Sequence, residues 1–497
     1  MLLPAIIIVP FAAGVLALLI RADGPRRALL VVAAGLHLAL SLFAATHDVP
    51  PAWGGLLIFD ALGRLFLCLA SILFSASAVY ALGYLRAEEA GPRPDFVEGT
   101  LFVNAPEARF TACLLFFLAA MSLVCTTRHL GLLWVGVEAT TLASAPLIYF
   151  HRQRRSLEAT WKYLMICSVG IALALFGNIL LTAAVGGEAG GVQSMNVADL
   201  VRRAADIREP WFQAAFICIL VGYGTKMGLA PMHTWLPDAH SEAPSIVSAL
   251  LSGALLNCAF LGILRVVEVG AAAGQAAFAM DLLVLFGLLS MTLAAVFIVG
   301  QGDFKRLLAY SSVEHMGLLA LGVGLGGGAV FGAMLHAVNH SLAKAGLFLL
   351  AGNILAAFHT KSAHDVRGVV RVMPVTGVFW LAGFLAITGT PPFGLFVSEF
   401  AIVRQAMLGG RYLVAGLMLA SLAAIFAGFS IAVLRMAQGT PPPSFRRPPG
   451  GERLTSIISP VVLCSATAVL GVYIPSSLTR FLVEAARATG LPLGGLP

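Results

Sequence analysis

Charge is what this sequence has least of: Asp, Glu, Lys and Arg make up 11% of its 497 residues, against 59% hydrophobic residues. A soluble chain of that length carries about 25% charge, and with a mean hydropathy of +0.92 the sequence belongs instead with polytopic membrane proteins. Runs of basic residues are missing too, and no aromatic-interleaved basic patch exists, so the net charge of +7 is a topology signal and nucleic acid is excluded as a partner. The seven cysteines (68, 113, 125, 167, 218, 258 and 464) include no C-x-x-C pair, so the chain has no iron–sulfur, haem or zinc signature of its own. They read as small core hydrophobes. Met1 to Ile20 lacks a basic n-region and runs directly into Arg21, Arg26 and Arg27, which makes it a retained first helix and not a cleaved signal. Lysine is the scarcest cation, only five of the thirty-one basic residues.

What fills the chain is apolar segments. With about 20 residues per crossing, helices fall near 3–20, 27–45, 62–84, 110–126, 129–150, 158–185, 211–233 and 245–267. Six more fall near 276–299, 304–325, 328–358, 373–408, 412–435 and 455–475. The expected fold is therefore an all-α polytopic membrane protein of about 14 transmembrane helices. Odd-numbered loops hold eighteen Arg and Lys and even-numbered loops eight, which places the odd loops in the cytoplasm and both termini outside. Arg86 to Arg109 and Pro441 to Arg453 are too short for domains and read as surface loops or linkers. The seventh and twelfth helices are interrupted, at Gly228 to Pro231 (GLAP) and Gly389 to Gly394 (GTPPFG). Two broken helices five apart point to inverted repeats with the ion site at the breaks. This divides the chain into N-terminal helices and loop (1–109), a first inverted five-helix repeat (110–267), a second (276–435), and a linker, last helix and tail (436–497). In this scheme Lys226 corresponds roughly to Glu399. Proline kinks made for packing alone are the plain alternative.

Three of the five lysines, Lys162, Lys226 and Lys344, lie inside apolar helices. Arginine stays charged, whereas a desolvated lysine can gain and lose a proton. Lys162, near a helix start, can also snorkel to the interface. Glu138 sits well inside the fifth helix, where an unpaired carboxylate is costly. Lys226 in the same repeat is its natural partner, and a Glu/Lys pair of changing separation is an electrostatic gate for protons; a static pair tying two helices is the alternative. His336, His340 and Lys344 follow at i, i+4 and i+8, a stripe on one helix face suited to proton relay. No HExxH glutamate or third ligand accompanies the two histidines in sequence, and Lys344 shares their face, so metal binding is not expected. Glu314 and His315, with Tyr310, Ser311 and Ser312, either support a water chain or are capped within the bundle. His233, Asp238, His240 and Glu242 after the break form an exit path or a surface loop. The glycine-rich Leu321 to Val330 follows no strand and opens no βαβ unit, so it is a loop and not a nucleotide site.

These residues together resemble the antiporter-like membrane subunits shared by respiratory complex I, multisubunit Na⁺/H⁺ antiporters and energy-converting membrane hydrogenases. The motifs are WVGVEATTL around Glu138, TKMGLAPMHTWLPDAH around Lys226, NHSLAKAGLFL around Lys344 and GTPPFGLFVSEF around Glu399. VEATTL, WKYLMICSVGIALALFG and AYSSVEHMG are most similar to the hydrogenase-4 component F branch. The resemblance implies a proton-translocating subunit of a redox-driven complex, with Glu138 and Lys226 as input gate, Lys344, His336 and His340 as central relay, and Glu399 as second-half exit. It implies no cofactor here; partner membrane subunits and a peripheral redox module would carry iron–sulfur clusters and a NiFe centre or flavin. It also implies a bacterial inner-membrane location. A Na⁺/H⁺ antiporter subunit or an inorganic-carbon uptake subunit are the other outcomes it allows. One departure stands out: the eighth helix, where the complex I members carry Lys or His, offers only serines and Asn257.

Overall fold

The computed structural model describes residues 1–88, 91–95, 99, 101–185, 194–442, 445 and 451–494. Parts of both expected surface loops, including Arg446 and Arg447, lie outside the described residues.

The chain forms α1 (Leu2–Leu19), α2 (Asp23–Thr46), α3 (Ala61–Ala87), α4 (Glu107–Cys125), α5 (Leu130–Ile148), α6 (Arg154–Ala184), the short α7 (Val197–Arg202) and α8 (Glu209–Met227). Next come α9 (Trp235–Glu242), α10 (Ser245–Leu250), a π-helical turn at Leu251–Leu255, α11 (Leu256–Ala272), α12 (Ala276–Ile298), α13 (Phe304–Leu325) and α14 (Gly328–Phe358). The rest is α15 (Val369–Val372), α16 (Pro374–Ile387), α17 (Gly394–Leu408), α18 (Tyr412–Ala437), α19 (Leu454–Val472) and α20 (Ser476–Arg487). Among the described residues twelve helices are long and apolar enough to cross a membrane, with α10, the π turn and α11 counted as one. The two segments outside that set are the broken ones, α8/α9 and α16/α17. A two-residue antiparallel pairing of Arg93–Pro94 with Leu101–Phe102 sits in the α3–α4 loop.

Both breaks have the same local cause. Gly228 (φ 85°) and Gly389 (φ 62°) adopt the left-handed conformation that ends a helix, and a proline follows three residues later in each. The expected helix over 211–233 therefore stops at Met227. Trp235 Nε1 donates to the Thr225 carbonyl across the gap (2.8 Å), and the Ala230 amide donates to Ser290 Oγ on α12 (2.9 Å), so the break is braced. Small residues bring the flanking helices close, as in other membrane bundles: a Cβ on Gly222 of α8 would lie 2.6 Å from the Gly170 carbonyl of α6.

The bundle has an axis. The membrane window of α10–α11 is 100% buried, that of α13 94% and that of α14 83%, whereas α2 and α19 reach only 33%. Polar residues on the three axial elements therefore face protein. The loops alternate between two ends. At one end Arg27 pairs with Glu107, Arg155 with Asp95, Arg306 with Asp238 and Lys361 with Glu242. At the other, Asp60 caps α3 through the Gly63 amide and also accepts from the buried Arg265, while Arg128 pairs with Glu268. The amphipathic α20, absent from the sequence-based helices, lies at this second end, where the Pro492 carbonyl accepts from the Gly327 amide.

Candidate proton-transfer site

Lys226 closes α8 just before the break and is fully buried. Its ammonium donates to Thr141 Oγ1 (2.8 Å) and to the Tyr163 hydroxyl (2.6 Å), and it lies 4.4 Å from the Tyr163 ring centroid. Glu138 is not in direct ion contact with it. Thr141 stands between them and donates to Glu138 Oε2 (3.2 Å), while Ser168 donates to Oε1 (2.9 Å). The pair expected from sequence is thus bridged by one hydroxyl. Thr141 lies one helical turn after Glu138 and therefore on the same face of α5. On α5, Ser144 donates to the Thr140 carbonyl, so the hydroxyl of Tyr163 on α6 donates to Ser144 (2.6 Å) and keeps a lone pair for Lys226.

Lys162, one residue before Tyr163, points about 100° away from it around the helix. Its side chain is 46% exposed and pairs with Glu158 (2.7 Å) and Asp238 (3.0 Å). Asp238 also pairs with Arg306 (2.6 Å). Neither joins the buried set, so the predicted supporting residues divide: Lys162 and Asp238 form a surface ion network, whereas His240 is buried and stacked on Phe348 of α14 (5.0 Å). His233 is buried beside Phe297 and Tyr310.

The second cluster lies on the axial helices. Lys344 donates to the Leu308 carbonyl and Ser311 hydroxyl of α13. Both carboxylate oxygens of the buried Glu314 lack a protein partner, as do both ring nitrogens of His340. His315 Nδ1 meets His336 Nε2 at 3.0 Å, and His336 Nδ1 meets Ser398 Oγ at 2.9 Å. Ser398 donates to the Leu395 carbonyl (2.8 Å), so it accepts from His336. Neutral rings then carry their protons on Nδ1, and the wire is polarised from His315 through His336 to α17. Glu399 follows Ser398 and is buried, and the third donor that the sequence spacing does not supply arrives here: His315, His336 and Glu399 have ligand atoms within 4.8 Å of one another.

Asn257, near the start of α11, donates from Nδ2 to Ser341 Oγ on α14 (2.8 Å), and its Oδ1 has no protein partner. It follows the π turn, whose Ser252 bonds Ser312 of α13 (2.8 Å). Local π geometry of this kind recurs at functional sites. Sequence reading missed Tyr163, Thr141, Ser168 and Ser398, because a neutral hydroxyl in an apolar helix carries no signal until its neighbour across the helix interface is known.

Residues 127–426, which include every member of both clusters, match the model of the NADH:quinone oxidoreductase/Mrp antiporter transmembrane family. The chain is 38% identical over 370 residues to a hydrogenase-4 component F homolog of Methylacidiphilum infernorum (isolate V4), covering 74% of this chain and 75% of that protein. It is 31% identical over 438 residues to NADH-quinone oxidoreductase subunit N of Desulforudis audaxviator (strain MP104C), covering 85% and 83%. A chain of the membrane-bound sulfane sulfur reductase, an archaeal respiratory membrane complex, has the same fold, with a TM-score of 0.84 at 20% identity over 98% of this chain and 97% of that one.

Proposed function

Because this chain belongs to the NADH:quinone oxidoreductase/Mrp antiporter transmembrane family, we propose that it is the proton-translocating membrane subunit of a redox-driven complex of the NADH:quinone oxidoreductase or energy-converting hydrogenase type. The observation that carries this reading is the pair of buried proton-transfer clusters, one built on Lys226, Thr141 and Glu138 and the other on Lys344, Glu314, His340, His315, His336 and Glu399. Buried ionisable groups at membrane depth are costly and are characteristic of ion pathways. Lys226 and Glu138 act as the input gate, the lysine and histidines of the axial helices as the relay, and Glu399 as the exit group. Water connects the buried oxygens and nitrogens that lack protein partners. Helices four to eight and nine to thirteen of the membrane domain, residues 110–267 and 276–435, are the two inverted repeats.

Glu138 also supports a neighbouring membrane subunit as partner. It is only half-buried and is flanked on its helix face by the exposed Val135 and Leu142. A carboxylate turned toward lipid is expensive, so another subunit of the same complex covers this face. The driving energy comes from a peripheral redox module bearing iron–sulfur clusters and a NiFe centre or flavin. The complex lies in the bacterial inner membrane with both termini of this chain on the outer side. The family's description, which names an antiporter, favours a Na⁺/H⁺ antiporter subunit as the second reading; coupling to inorganic-carbon uptake is a third.

Lys226→Met is the deciding variant. Proton pumping by the parent complex in inverted vesicles is expected to stop while assembly is retained. Undiminished pumping overturns the proposal, and pH changes that depend on sodium favour the antiporter.

A further inference from the structure

His315 on α13, His336 on α14 and Glu399 on α17 come from three different helices, yet a ligand atom of each lies within 4.8 Å of the others, and all three side chains are buried. Two more observations point to something these groups could hold. Glu399 Oε1 has no hydrogen-bond partner, although buried polar atoms are nearly always paired, and the Ile387 carbonyl lies beside the His315 ring. A fourth donor stands next to them: both nitrogens of His340 are also without partners, and its ring centroid lies 5.0 Å from that of His315. His336 is oriented as metal-ligating imidazoles are, because Nδ1 is committed to Ser398 Oγ (2.9 Å) and Nε2 turns its lone pair toward the cluster.

We propose that His315, His336 and Glu399 form a binding site for a borderline divalent transition-metal ion of the Zn²⁺ class, with His340 as the fourth donor, and that occupancy of this site blocks the relay. Two or three imidazoles and one carboxylate suit zinc and its neighbours, whereas Na⁺ and Mg²⁺ take oxygen ligands. Metal–ligand distances of about 2.0–2.2 Å in a tetrahedral site put donors roughly 3.3 Å apart. The 3.0 Å contact between the two histidines needs to open only slightly, and the carboxylate closes in by up to about 1.5 Å. Protons balance without an added base. His315 moves its proton from Nδ1 to Nε2, so both rings stay neutral while Nδ1 of His315 and Nε2 of His336 ligate. Any proton on Glu399 is released to bulk water as the carboxylate binds. The Lys344 ammonium is two turns along α14 from His336, about 12 Å by helical rise, and one turn, about 6 Å, from His340; it donates away from the donors, to the Leu308 carbonyl and the Ser311 hydroxyl of α13. With the metal in place the lone pair of His336 Nε2 is consumed, and the hydrogen bond from His315 no longer exists to pass a proton.

Only the blocking effect rests on the relay reading; binding does not. The test uses the full chain in lipid nanodiscs with Zn²⁺ alone. Equilibrium dialysis should find one tightly held ion per chain, and X-ray absorption should show nitrogen and oxygen donors at about 2.0–2.1 Å with imidazole scattering. His336→Gln and Glu399→Gln should each weaken binding by about 10-fold or more, while Lys226→Met binds as wild type does. Less than one ion per wild-type chain, or a spectrum without imidazole, overturns the site; that spectrum needs no variant to fold. Binding as described together with unimpaired pumping at saturating Zn²⁺ leaves the site standing and removes the relay reading.

Discussion

Thr141 is the residue on which the first cluster turns. It accepts from Lys226 and donates to Glu138, and so links cation to carboxylate directly. Replacing it with Val keeps the shape and removes the hydroxyl. Pumping by Thr141→Val is expected to fall by about 100-fold, the low end of the range for loss of a positioned proton-transfer group, while Thr141→Ser retains it; proton flux in vesicles reads both. Serving as the partner of a buried ammonium is a different task from sealing a helix interface, and only the serine control separates the two. The same scale explains why neighbours in sequence have unlike fates. Lys162 and Tyr163 are adjacent, yet consecutive residues point about 100° apart around a helix, so one reaches the surface ion network and the other the buried lysine.

At the level of elements, the two breaks fix a register between the halves. Aligning Gly228 with Gly389 puts Lys226 before its break and Glu399 after the other, opposite Asp238. The rough correspondence of Lys226 with Glu399 expected from sequence does not follow from this register. The reason is that each ionisable group is placed by its own neighbours: Lys226 by α5 and α6, Glu399 by α13 and α14. Gly389 couples the break to the site directly, since a Cβ there would meet Glu399 Oε2 at 2.0 Å and its φ is 62°. Gly389→Ala is therefore expected to displace Glu399 and to reduce pumping. Gly416→Ala on α18, where nothing lies within 4 Å, should change stability by less than about 1 kcal/mol. Thermal unfolding in detergent, run beside the pumping assay, checks the pair.

For the whole molecule, charges at the two ends hold the loops while the interior carries the chemistry. Burial pushes Glu242 upward, but the Lys361 ammonium at 2.9 Å outweighs it and holds the carboxyl below the usual glutamate range. Burial likewise pushes Asp60 up, and Arg265 and Arg128 hold it below the aspartate range. Both folded pKa values are depressed, so their stabilisation is fully present above the unfolded values of about 4 and is lost as pH falls through the lower folded values. Unfolding temperature should therefore decline below about pH 4, and Glu242→Gln should flatten that decline. An unchanged slope in this variant would show that the Lys361 link contributes nothing.

Hydrophobicity and the glycine–proline breaks in the sequence by themselves determined the helical membrane architecture, because crossing lipid requires long apolar segments and satisfied backbone. Lys226, Lys344, Glu138 and the histidine stripe were also legible, since ionisable residues in such segments are conspicuous. The amphipathic α20 was legible in principle from the i, i+3, i+4, i+7 spacing of Leu478, Phe481, Leu482 and Ala485. Its lower hydropathy made it read as a tail. Only the tertiary structure decided that Thr141 separates Glu138 from Lys226, that Lys162 leaves the buried set, and that His315 and Glu399 meet His336. Hydrogen bonds act over about 3 Å, and the helices that supply these partners are tens to hundreds of residues apart in the chain, a distance that no local pattern spans.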